Sequence, residues 1–220
     1  MAHALLVRQR TMVANALRAA LGELGIVAAQ GHQGLSELMA KLEEPSEQIP
    51  EMMRCALLML ARHWQALDAD ERVLERQIAK AARCDRDARR LMEVPGVGPI
   101  IASTVLAKVP DAKVFRSGRD FAAWIGLTGK DHGTGGKHRS GRISKQGDRV
   151  LRALLISGAS SHLRQQKRRG VTDPWLRDLL ARRPYKVAMV AFAAKTARIL
   201  WAMLSKGEAY RDRASAPAAA

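Results

Sequence analysis

Apolar residues recur with helical periodicity along most of this chain. Leu6, Val13, Leu17, Ala20 and Leu24 share one face of a 3.6-residue period, and Gly25 supplies a stop. A loop holding two glycines and His32 follows, and residues 35–42 predict a short helix ended by Glu43, Glu44 and Pro45. Pro50 then stands at the start of a long helix, where its missing N–H costs nothing. Within it Met53, Leu57, Leu60, Trp64, Leu67, Glu71, Leu74, Ile78 and Ala81 alternate spacings of four and three, with only Glu71 interrupting the apolar series. This is a heptad seam of about four repeats. It can pack on the chain's own first helix or pair with a second copy. With so little else in the first ninety residues to cover it, the seam predicts a homo-oligomer formed through residues 53–81.

Beyond Leu91 the pattern changes to shorter helices joined by glycine-rich turns. Residues 119–125, 148–163, 174–181 and 187–204 read as helical, with Pro174 and Pro184 near helix starts. No convincing run of alternating β-branched residues appears. The predicted fold is mainly α: a long coiled-coil-like helix, then a compact helical domain with a turn at 94–99 and a basic glycine-rich loop. The expected division is a helical connector over 1–90, a second domain over 91–208 and a frayed tail over 209–220.

At 220 residues and 47% hydrophobic, the chain can bury a core and is too apolar for disorder. The uncharged run from Val187 to Ala194 is cut by Lys195, short of the roughly 20 residues a membrane span needs. Arg8 and Arg10 interrupt any secretory pattern at the N-terminus. Cys55 and Cys84 lie in one predicted helix, about 44 Å apart at about 1.5 Å per residue, so they cannot pair. A reduced cytoplasmic protein without membrane contact is expected.

Charge sharpens this picture. The net charge is +16, from 37 Lys and Arg against 21 Asp and Glu. Residues 1–90 carry 13 basic and 12 acidic groups, while 91–220 carry 24 and 9; the stretch 130–170 alone has 11 basic groups and two acids. So one-signed an excess on a folded body points to a polyanion. Asp68, Asp70 and Glu71 lie beside the heptad seam and read as a solvated face rather than a metal site. The six histidines show no metal-ligand spacing with the two cysteines, so neither zinc nor another metal is expected in this chain.

Two stretches carry candidate chemistry. In Val94-Pro95-Gly96-Val97-Gly98-Pro99 the glycines allow a sharp turn, and Pro99 begins a helix whose N-terminal amides favour an anion. The string resembles the hairpin of helix-hairpin-helix DNA-binding proteins, which implies phosphate binding by Pro95, Gly96, Val97 and Gly98. The alternative is a turn kept glycine-rich for tight packing alone. The second stretch has seven glycines between Gly126 and Gly147, interleaved with Lys137, Arg142, Lys145 and, just beyond, Arg149. Such a loop can approach a phosphate closely. Ser144 stands among these cations. Its spacing alone reads as an N-cap or turn serine, although Gly147 occupies the position a capping-box Glu or Gln would take. His138 and Asp131 are nearby candidates for a base. With nine aromatics in the chain, a base-stacking platform is not expected, and Trp124 and Trp201 fit helix packing.

The order PGVGPIIASTVLA, FAAWIGLTG, SGRISKQGDRVLRALL and AKTARILWAML resembles the C-terminal domain of insertion-sequence transposases of the IS110 and IS116 type. VRQRTMVANALRAALGELGIVA is similar to that family's connector, so the likeness covers nearly the whole chain. It implies a DNA recombinase in which Ser144, within GRISKQGD, is the nucleophile that forms a phosphoserine link to DNA. It also implies oligomers, a structured guide RNA from the element, and a RuvC-like DEDD nuclease domain with a divalent metal such as Mg. Those metal-binding acids belong upstream of the position of Met1, so the resemblance implies a chain beginning inside the connector. The rival expectations are an inactive remnant that only binds DNA or RNA, and a sequence-indifferent nucleoid or ribosomal protein.

Overall fold

The computed structural model describes residues 2–44, 47–134 and 137–211. The chain is mainly α-helical and divides into two compact units, residues 1–77 and 78–220.

The first unit contains α1 (Ala2–Glu23), α2 (His32–Glu43) and most of α3 (Glu51–Cys84), which runs unbroken through both cysteines. Its core joins Leu17 and Leu21 of α1, Leu35, Leu38 and Leu42 of α2, and Leu57, Ala61 and Trp64 of α3. The N-terminal half of the heptad seam is therefore covered by this chain's own α1 and α2. Leu74 and Ile78 further along remain half-buried, and Ala81 is exposed. Between α1 and α2, Arg18 donates to the carbonyls of Ala29 and Gly31 at 2.9 and 2.8 Å, fixing the loop.

The expectation of a solvated acidic face fails for Asp68 and Glu71, which are only 6% and 5% exposed. Arg10 of α1 meets both, Nη1 to Asp68 Oδ1 at 2.7 Å and Nε to Glu71 Oε2 at 3.1 Å. The polar break in the seam is thus where α1 supplies a guanidinium. Burial works against ionisation of Asp68, but Arg10, His32 and Arg72 outweigh it and hold its carboxyl below the ordinary range. At Glu71 burial prevails over Arg10 and pushes the carboxyl up, helped by Glu75 and Asp68.

The second unit contains α4 (Arg86–Leu91), α5 (Pro99–Lys108), a 3-10 turn (Ala112–Val114), α6 (Gly118–Ile125), strands β1 (Gly129–Thr134) and β2 (Lys137–Ile143), α7 (Arg149–Arg169), α8 (Pro174–Arg182) and α9 (Tyr185–Lys206). α9 is its centre and packs against α6, α7, α8 and the 3-10 turn. By length and hydropathy α9 could cross a bilayer. Here it instead buries Ala188, Phe192, Ala193, Thr196, Ala197, Leu200 and Met203 in the unit's core. Trp201 donates its indole N–H to the Ala112 carbonyl at 3.0 Å, and Arg90 of α4 donates to the Met203 carbonyl at 3.1 Å. Trp124 stacks on Phe121, as helix-face packing requires.

A short antiparallel hairpin, β1 with β2, is the one sheet among the described residues of this mainly α chain. Gly129 pairs with Ile143 and Thr134 with Lys137, with a register shift between Gly129 and Asp131. Both strands are polar in sequence, so no apolar alternation announces them. Residues 212–220 of the expected frayed tail lie outside the described residues.

Candidate nucleic-acid interface

The turn from 92 to 98 joins two helices whose inner faces are buried. Leu91, Val94, Val97, Ile101, Ala102 and Val105 all enter the core. Gly96 has φ +82, open to glycine at little cost, and a Cβ there would lie 2.9 Å from the Gly158 carbonyl of α7. Conversely, a Cβ on Gly158 would lie 2.1 Å from the Gly96 carbonyl. These glycines are therefore required for close packing, and the same approach brings the turn against α7. A groove of about 500 Å³ opens beside the contact, lined by Gly96 to Ile101 and by Ser157, Ser161 and Gln165 of α7. Gly98 is the N-cap of α5 and offers no side-chain cap, leaving first-turn amides to an outside acceptor.

Ser144 follows β2 in a tight turn. Its N–H donates to the Thr128 carbonyl at 2.9 Å and the Lys145 N–H to the Gly126 carbonyl at 3.2 Å. The Gln146 N–H points at Ser144 Oγ across a long 3.4 Å. Lys145 has φ +57, the only positive φ at a non-glycine among the described residues. Arg142 and Lys145 are exposed and Ser144 is half-buried between them in sequence. Ser144 is a turn residue and not the helix cap. Asp148 caps α7, accepting from the Leu151 N–H at 2.7 Å.

Asp148 also pairs with Lys108, which ends α5. Burial opposes its ionisation, but the Leu151 N–H and the Lys108 ammonium outweigh this and hold its carboxyl below the ordinary range. A carboxyl lowered on folding adds stability above its unfolded pKa of about 3.9 and loses it as pH falls through the folded value. In urea unfolding, Asp148→Asn is expected to cost about 1 kcal/mol at pH 7 and progressively less as pH falls below about 3.9, since the amide still caps the helix. A loss that does not change with pH would show that the Asp148 charge contributes nothing.

α7 carries six basic residues and no acid. Arg149 begins it, and Gly158 at the turn contact lies nine residues on, about 14 Å along the axis. The structure thus brings the turn residues Pro95 to Gly98 and the Ser144 turn to one helix, with Arg149 exposed at its start. The backbone of Lys137 begins β2; its side chain, like those of Asp131 and His138, lies outside the described residues.

Residue pattern also missed a group in the first unit. His3, Glu71 and Glu75 place one donor atom each within 4.8 Å of one another, joined across α1 and α3 by the 3.2 Å pair of His3 and Glu75. His3 lies about seventy positions before the two acids, which leaves no sequence signal for its joining them. The three do not fit a divalent ion, because the Arg10 guanidinium already lies against Glu71 and would repel it.

The second unit is therefore a basic helical domain with exposed cations at the Ser144 turn and toward the end of α7, as domains that meet polyanions have. Residues 88–180 match the family described as "Transposase IS116/IS110/IS902 family". The chain is 44% identical over 94% of its length to a putative transposase, y4pF/y4sB, of Sinorhizobium fredii, covering 54% of that protein. It is 46% identical, again over 94% of its length, to a probable family 20 transposase of Pseudomonas aeruginosa, covering 62%. It is also 36% identical over 94% of its length to the transposase for insertion sequence element IS1111A of Coxiella burnetii, covering 57%. Over most of its own length the chain is thus similar to transposases of the IS116/IS110/IS902 type. It spans between about half and three-fifths of the length of these curated relatives.

Proposed function

We propose that this chain acts in DNA transposition of an insertion sequence, with its second unit binding DNA and Ser144 attacking a DNA phosphodiester. The observation that carries this reading is the Ser144 turn, a half-buried serine flanked by exposed cations at the start of a helix with six basic residues and no acid. Arg142, Lys145 and Arg149, with Lys137 beside them in sequence, supply a field that favours an attacking alkoxide and the charge building on phosphate. Gly96 and Gly98 offer backbone N–H groups to a phosphate at the α5 N-terminus, in the helix-hairpin-helix manner, within a turn shaped by Pro95, which has no N–H, and by Val97, whose N–H is held by the Val94 carbonyl. In the covalent step the Ser144 Oγ–P bond forms and the P–O bond to one deoxyribose oxygen breaks. The seryl proton passes to solvent and the leaving oxygen takes one up. One phosphodiester replaces another, so no oxidant or reductant is consumed.

DNA and a structured RNA of the element are the polyanions this surface suits. Oligomers would use the part of the α3 seam that α1 and α2 leave half-covered, from Leu74 to Ile78. The test traps a covalent protein–DNA adduct on a labelled, nicked duplex taken from the DNA flanking the reading frame. Ser144→Ala is expected to lose at least about 100-fold of adduct, as removal of a covalent nucleophile does. Parental adduct in that variant would place the nucleophile elsewhere.

A further inference from the structure

We propose that Arg152 is the positioning residue of the Ser144 turn, a latch that holds the serine in its reactive orientation; this rests on Ser144 being the nucleophile. Arg152 lies in the first turn of α7 and is only 9% exposed. Its Nη1 donates to the Ile125 carbonyl at 2.7 Å and to the Gln146 carbonyl at 2.9 Å. One nitrogen therefore ties the end of α6 to the residue two positions after Ser144. Among the described residues no carboxylate pairs with this guanidinium. A buried cation held only by carbonyls has given up solvation that an apolar side chain would not lose. Packing alone does not account for an arginine here.

The turn it holds is strained and needs holding. Lys145 sits at φ +57, a conformation unfavourable for a side-chain-bearing residue, which persists only where its surroundings fix it. The Ser144 N–H to Thr128 and the Lys145 N–H to Gly126 fix one side of the turn. Arg152 fixes the other. Glycines close the remaining freedom: a Cβ on Gly126 would lie 2.0 Å from the Gln146 carbonyl and 2.9 Å from Arg152 Nη1, so the turn is seated directly on the latch. Preorganisation of this kind is what positions a nucleophile for in-line attack without reorganisation at the moment of reaction.

The experiment compares the parent with Arg152→Met and Arg152→Lys. It reads adduct formation at saturating nicked duplex, affinity for the same duplex, and amide hydrogen exchange along the chain. In Arg152→Met the Ser144 and Lys145 amides should exchange at least tenfold faster while α9 amides stay protected. Adduct formation should fall at least thirtyfold with affinity changed less than threefold. Arg152→Lys, which keeps a donor and the charge, should recover part of both, exchange and rate moving together, and it serves as the folded variant should Arg152→Met unfold. Parental exchange at Ser144 and Lys145 overturns the proposal, as does a loss of protection spread evenly over α5, α7 and α9. Parental adduct in Ser144→Ala sinks the nucleophile assignment instead, and the exchange measurement separates that failure from this one.

Discussion

Gly147→Ala is expected to destabilise the second unit by about 3–5 kcal/mol and to lower its melting temperature by roughly 10 °C or more. Gly147 has φ +78, and a Cβ there would lie 1.7 Å from the Trp124 carbonyl, a backbone atom that cannot rotate away. Accommodating alanine means parting the Ser144 turn from α6 and breaking its bonds to Thr128, Gly126 and Arg152. Gly207 provides the control. It has φ +69 with nothing within 4 Å of an added Cβ, so Gly207→Ala bears only the backbone term, about 1 kcal/mol. Thermal unfolding of the two variants side by side separates close approach from backbone conformation. Equal losses would mean that the turn yields to the added methyl and is not the rigid seat described above.

What could be read before the structure follows from which forces leave a local trace. The helices were legible because their burial repeats every three or four residues. The turn at 94–99 was legible because Gly96 and Pro99 have few other uses at that spacing. The concentration of charge beyond Leu91 needed only counting. The β1–β2 hairpin was not legible, since its strands are polar and leave no apolar alternation. The buried pairs of Arg10 with Asp68 and Glu71 were hidden because partners 58 and 61 positions apart share no local pattern, and a buried acid looks like a surface one in sequence. At the candidate site, position in sequence gave the neighbours of Ser144 but not their roles. Asp148, read from the sequence only as the first residue of a helix, is the N-cap of α7. Arg152 looked like one more cation of a basic helix. Only its two carbonyl partners, one on α6 and one on the serine turn, set it apart from Arg149, three residues before it and exposed.

That contrast within α7 leads to the second large effect. Arg142, Lys145 and Arg149 are exposed, and among the described residues none of the three forms an ion pair, so their charge is available to a phosphate backbone. Binding that neutralises a duplex phosphate releases condensed counterions, and each contact contributes about 0.9 to the slope of log K against log salt. Replacing all three by glutamine is expected to lower that slope by up to about three and to weaken duplex binding by up to roughly 10²–10³-fold near 0.1 M salt. The loss should be similar for unrelated duplexes, because phosphate contacts position the DNA without reading its sequence. Arg8, Lys41 and Arg62, exposed residues of the near-neutral first unit, make the matched control: replacing them removes the same net charge. If net charge alone drew the polyanion, the two triple variants would lose slope equally, and salt titrations showing that result would move the bound phosphates away from the Ser144 turn. A slope lowered only in the first triple places the DNA backbone within reach of the serine, which attack on a phosphodiester requires.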